Sequence, residues 1–278
     1  MKVTIEHFTL VQHFGEEKAF ELISKAGFDG VDYSFNSDGK GNSIDFTNHA
    51  QKAKEVKALL DKYNLVAPQA HAPFALSFNG NYEETFSMDN KDFSDVVKSL
   101  EFASIIGCEA VVVHSIKLPP EIDFFECNYN YYKALEPYAQ KFGVKIAVEN
   151  LVNSIFWRPN RLSHFIRQLN SPVFCACIDV GHSFLMGMPP EEFIAGMDPD
   201  LIACVHLHDT DAKVDRHWAP YQGDQNWEKT MKALADYGYK GDINLEVIRP
   251  LISLPKELQL PFLTYCRAIG EHLKNICK

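Results

Sequence analysis

Eight short apolar or β-branched runs recur along this chain of 278 residues, each followed by a longer stretch of helical period. They read KVTIEHF, GVDYSF, VAPQAH, AVVVHS, KIAVEN, FCACIDV, IACVHLHD and DINLEVI. Strands that alternate with helices make a parallel sheet, because a crossover helix returns the chain to start the next strand in the same direction. The intervening segments carry the helical signature. In FSDVVKSLEFASIIG, Phe93, Val96, Val97, Leu100, Ala103 and Ile106 keep one face apolar, and Gly107 is placed to end the helix. In NWEKTMKALADYG, Trp227, Met231, Leu234 and Tyr237 do the same. Eight βα units in a chain of this length predict an α/β fold, a (β/α)8 TIM barrel forming a single domain over 1–278. A doubly wound sheet is the alternative, but no strand is followed by GxGxxG or a P-loop, which leaves its nucleotide-binding versions unsupported.

The balance of 27 basic against 37 acidic residues, net −10, disfavours a nonspecific grip on nucleic acid or anionic membrane. The start, MKVTIEHFTL, lacks a signal-peptide apolar region, and no apolar run reaches the length of a membrane span, so a cytoplasmic protein with no membrane partner is expected. Seven cysteines, at 108, 127, 175, 177, 204, 266 and 277, form no CxxC pair; an odd count without a secretion signal reads as free thiols.

The polar residues collect where the strands end. His71, His114, Glu149, Asp179 with His182, His206 and Glu246 each stand at or near a strand's carboxyl end, the face on which barrels build their sites. Singly, each is explained by a hydrogen bond in the core. Together, in an eight-strand register, they converge on one axial pocket, where clustered carboxylates repel one another unless a cation sits among them. The stretch VHLHDTDAKVDRHWAPYQGD, Val205 to Asp224, packs three histidines and four aspartates into twenty residues and adds Asp215 with His217 as a further donor pair. His208, two residues beyond His206, is assigned to substrate or to groups behind the metal. His49, His164 and His272 fall on predicted helices, away from the pocket. Oxygen and imidazole donors without thiolate suit a divalent metal such as Zn, Mn, Co, Mg or Fe.

The motifs HAPF, VVVH, VEN, DVGH, VHLHD, VDRHW and LEV occur in an order that resembles the xylose isomerase-like barrels, whose members include endonuclease IV, sugar and sugar-phosphate isomerases and ketose 3-epimerases. The resemblance implies one shared metal held by Glu149, Asp179, His206 and Glu246, ending strands five to eight in register. It also implies residues for up to three ions: His71 and His114 join Glu149 at a second, and His182, Asp215 and His217 hold a third, as in endonuclease IV. The departures favour the sugar branch. DVGH stands where the endonucleases have DTCH, the strand-two loop NSDGKGNSIDF lacks their arginine, and Phe74 and Ala75 follow HAP where they carry Tyr and Leu. Trp227 and the GYKGDINLE run look like sugar isomerases, although Ile155 occupies the neighbourhood where ketose 3-epimerases carry an extra substrate-binding Glu.

The expected function is a metal-dependent isomerase or epimerase of a small carbohydrate or sugar phosphate, with Glu149 and Glu246 passing the proton. His182, Arg216, His208, Trp157, Trp218, Phe74 and His7 are its candidate substrate contacts, and a homo-oligomer is compatible with it. The alternatives are a zinc phosphodiesterase acting on abasic DNA and a non-catalytic sugar-binding barrel.

Overall fold

The computed structural model describes all residues except 36–44, 75, 117 and 153. Among the described residues the eight runs form eight strands: β1 Val3–Glu6, β2 Gly30–Ser34, β3 Val66–His71, β4 Ala110–Val113, β5 Lys145–Glu149, β6 Phe174–Asp179, β7 Ile202–His206 and β8 Ile243–Leu245. They pair in the order β7-β6-β5-β4-β3-β2-β1-β8, every ladder parallel. Closure between β7 and β8 is sparse: one bridge, Leu207 to Leu245, with the Leu207 N–H donating to the Asn244 carbonyl (2.9 Å) and the Glu246 N–H to the Leu207 carbonyl (3.1 Å). The result is the (β/α)8 TIM barrel, helices following every strand.

The two expected helices form at Lys91–Ile106 and Trp227–Tyr237. Asn90 caps the first by accepting from the Asp92 and Phe93 N–H groups, and Gly107 ends it in the left-handed conformation at φ 95°. Their apolar faces are buried as read, apart from a half-buried Tyr237, whose hydroxyl accepts the Leu201 N–H (2.9 Å) and donates to the Asp198 carbonyl (2.6 Å). No helix among the described residues is long and apolar enough to cross a membrane. All seven cysteines are free and buried.

Strand residues alternate between the two faces of the sheet, and here the faces have different chemistry. Ile5, Val31, Val111, Ile146, Ile178, Val205 and Leu245 join the helices in the main apolar core. The inward residues Ala110, Val112, Ala147, Cys175, Cys177 and Cys204 form a separate cluster of small side chains low in the barrel. Continuing in steps of two, the inward rows end in His114, Glu149, Asp179 and His206. On the other side of the axis the interior is polar. Thr4 Oγ1 donates to Asn244 Oδ1 (2.9 Å), while Asn244 Nδ2 and Gln69 Nε2 donate to Asp32 Oδ2 (3.0 and 2.8 Å), all four residues being buried.

Candidate metal centre

The four residues expected to share an ion do meet. His206 Nδ1 lies 3.3 Å from Glu149 Oε1, 3.4 Å from Glu246 Oε2 and 3.9 Å from Asp179 Oδ2. The expectation that they end strands five to eight in register needs correction. Asp179 is level with His206, but Glu149 is level with Cys177, and Glu246 stands one residue beyond β8. The stagger of a closed barrel is the reason: neighbouring strands are offset along the axis, so one level of the pocket is reached from different strand positions.

Local structure fixes these side chains. Asp179 caps the short helix Val180–Leu185, Oδ1 accepting the His182 N–H at 2.7 Å. Asn150, the last residue of VEN, clamps its backbone twice: Nδ2 donates to the Asp179 carbonyl (2.8 Å) and Oδ1 accepts the Asp179 N–H (2.7 Å). Asp209 organises the loop after β7. It accepts Trp227 Nε1 (2.8 Å) and the Thr210 and Gln225 N–H groups, so the buried Trp227 holds the loop to its own helix.

The further candidates surround this centre. His71 Nδ1 donates to the Ala72 carbonyl (2.9 Å), which turns its Nε2 toward His114 Nε2 at 3.0 Å, and His114 Nε2 is 2.8 Å from Glu149 Oε2. On the other side His217 Nδ1 donates to the Glu246 carbonyl (3.1 Å) and Nε2 faces Asp215 Oδ2 at 3.0 Å, from a left-handed backbone at φ 47°. His182 stands between the groups, Nδ1 3.4 Å from Glu149 Oε1 and Nε2 3.7 Å from Asp215 Oδ2. Four sets of donor atoms gather closely enough for an ion: His71–His114–Glu149, Glu149–Asp179–His206, Asp179–His182–His208 and His208–His217–Glu246.

The donors fit a cation. Glu246 Oε2, His182 Nδ1 and Asp215 Oδ1 are buried without a hydrogen bond, as atoms prepared for a ligand outside the protein would be. The charges respond to the crowding. Burial opposes ionisation of Glu149, but His114 and His206 outweigh it and hold its carboxyl well below the usual range. Burial raises Glu246 well above that range; His206 offsets part of this, and Asp179 and Glu149 add to it. Thus the protein's own groups push the two glutamates apart.

Of the expected substrate contacts, Phe74 is 52% exposed and stacks on His114 with centroids 4.9 Å apart, at the rim of the centre. Trp157 and Trp218 are half-buried beneath Arg158 and Arg216. Arg216 is engaged elsewhere, its Nε and a terminal nitrogen 3.2 and 2.9 Å from Asp211 Oδ2. His7 is buried outside the barrel, stacked on Tyr33 and Phe20. Its neighbour Glu6 is the buried residue that faces Asp32, and burial, the largest cause, helps raise its carboxyl to about 7. His208 is fully buried and reaches Asp179 rather than open space. His49, His164 and His272 lie on outer helices. The strand-two loop over 36–44 and Ala75 are outside the described residues.

No motif marks Asp32, yet its Oδ2 lies 3.3 Å from His206 Nε2, on the side of the ring away from the glutamates. The inward position shared with Ser34 was its only signal.

A family model described as xylose isomerase-like TIM barrel matches residues 20–261. The chain belongs to that family. Among its relatives, fructoselysine 3-epimerase of Escherichia coli O157:H7 is 22% identical over 256 residues, covering 86% of this chain and 88% of that protein. A solved D-tagatose 3-epimerase-like protein superposes with TM-score 0.79 at 20% identity, over 100% of this chain and 98% of its own. The IolI protein, solved with a zinc atom, gives TM-score 0.76 at 16% identity over 100% and 98%. At these identities the solved xylose isomerase-like barrels speak for the fold.

Proposed function

We propose that this chain is a metal-dependent isomerase or epimerase of a small sugar or sugar phosphate, working by proton transfer between Glu149 and Glu246. One observation carries the reading: two carboxylates from well-separated strands meet at the same nitrogen, His206 Nδ1, at 3.3 and 3.4 Å, and in the metal-free protein their surroundings shift the two in opposite directions, Glu149 down and Glu246 up. Paired groups with divergent proton affinities are how one site supplies base and acid together. The epimerase names among its relatives support the same chemistry.

Glu149, Asp179, His206 and Glu246 would hold the ion. When bound, a divalent ion withdraws electron density from sugar oxygens and so acidifies the neighbouring C–H. Glu149 Oε is the base that takes the carbon's proton, and the Glu246 carboxyl returns one from the other side of the ring of strands. Phe74 offers an exposed aromatic face to the apolar C–H side of a sugar.

The test incubates metal-loaded protein in deuterated water with a panel of ketoses and ketose phosphates. Deuterium at C1 or C3 of at least one sugar is expected. No incorporation into any of them, with full metal loading verified, counts against the reading.

The donor sets around His71 and His182 favour a second reading, a multinuclear phosphodiesterase in which clustered ions generate hydroxide and stabilise the leaving oxygen. The acidic balance and the loop without arginine argue against it, so an abasic-site DNA duplex should survive incubation. Multiple-turnover nicking that disappears in Glu246→Gln reverses the ranking.

A further inference from the structure

DVGH and VHLHD are joined by a contact neither motif predicts. The imidazole of His208 lies fully buried in a slot one ring thick. On one side is the His217 ring, parallel within 18° and 4.0 Å away between centroids. On the other is the backbone of Gly181, where an added Cβ would fall 2.0 Å from Cε1, 2.5 Å from Nε2 and 2.6 Å from Nδ1 of His208. Gln225 pins the main chain, its Nε2 donating to the His208 carbonyl at 2.7 Å. The ring edge points at Asp179, Nε2 lying 3.0 Å from Oδ1 and 3.1 Å from Oδ2, with Asp215 Oδ1 farther off at 3.8 Å.

We propose that His208 is a positioning residue for Asp179, and that Gly181 is present because only glycine leaves room for it. This rests on the reading above that Asp179 helps to hold a metal. The near-equal distances to the two oxygens suit the tautomer in which one Nε2–H is shared across the carboxylate. With the His182 N–H on Oδ1, it fixes both the position and the rotation of the group. Asp179 without His208 keeps one side-chain hydrogen bond, from its own helix, beside the longer 3.9 Å approach of His206, and is freer to turn about its last bond. Outer partners of this kind orient metal ligands, and their loss commonly lowers metal affinity by about 10- to 100-fold. A nonpolar Cβ at 181 has the same effect by another route, since it evicts the ring.

The experiment measures the dissociation constant for Zn2+ by chelator competition and the visible absorption of the Co2+ form, in full-length wild type, His208→Ala, His208→Gln, Gly181→Ala and the Gly181→Ala/His208→Ala double variant. Circular dichroism of each metal-free protein reports folding. His208→Ala should bind about 10- to 100-fold more weakly with altered Co2+ bands. His208→Gln, whose amide nitrogen reaches about as far as Nε2, should recover most of the loss. Gly181→Ala should match His208→Ala, and adding it to His208→Ala should change nothing more. Alanine ordinarily improves a helical position over glycine, so a loss there reports the evicted ring. Wild-type affinity and spectrum in folded His208→Ala overturn the proposal alone. The same holds for equal weakening by Gly181→Ala whether or not His208 is present, and if Gly181→Ala does not fold, the alanine and glutamine variants at 208 decide. A wild type that binds no metal removes the metal reading, and this proposal with it.

Discussion

Glu149→Gln and Glu246→Gln should each lower turnover by at least ~100-fold, the usual size of a general acid or base contribution. Glutamine keeps the shape and one acceptor oxygen of each side chain but neither takes nor gives a proton at that atom. The two variants should differ in character. Glu149 is held ionised by His114 and His206 against its burial, so Glu149→Gln leaves those histidines facing a neutral amide and disturbs the chain from β4 to β7. Burial, the largest cause, raises the Glu246 carboxyl well above the usual range in the metal-free protein, so Glu246→Gln should fold with little change. Rates are compared at measured metal content, since both residues also belong to the metal set. A fully loaded Glu246→Gln variant with wild-type turnover on a substrate found in the deuterium panel removes Glu246 from the proton path.

Asp179→Ala should abolish stoichiometric metal binding, a larger effect than the about 10- to 100-fold expected for losing an outer partner, because a ligand itself is gone. Alanine also deletes the cap of Val180–Leu185, at a cost of about 1 kcal/mol, and strands the His208 ring. Asp179→Asn separates the effects: asparagine caps a helix about as well as aspartate but brings no charge to an ion. Metal analysis by mass spectrometry after dialysis, beside thermal unfolding, is the measurement. Wild-type metal content in folded Asp179→Asn and Asp179→Ala shows that the ion, if present, sits elsewhere.

The strands and their ligand-type ends were legible in the sequence because burial on both faces of a barrel strand leaves a strong apolar run, and a titratable residue interrupts it visibly. What a run cannot reveal is the face on which a polar pair falls. At EHF the chain places Glu6 inward and His7 among the helices, and a shift of one residue exchanges every such assignment. Asp32, Gln69 and Asn244 were unreadable for another reason: each looks like a chance polar residue in its own strand, and only the pairing of β8 with β1 brings the last of these strands near the first two. The pairing of Arg216 with Asp211, five residues earlier, is made across a turn whose shape the spacing does not disclose. The Gly181–His208 fit belongs to tertiary contact alone.

The sparse join between β7 and β8 deserves a mechanical reading. His206 immediately precedes Leu207, the bridging residue on one side, and Glu246 immediately follows Leu245, the bridging residue on the other. Any opening of this wall would separate the strand ends that carry His206 and Glu246. The proposed site and the closure of the cylinder thus share one joint, and an ion held by His206 and Glu246 would clasp the wall at that point.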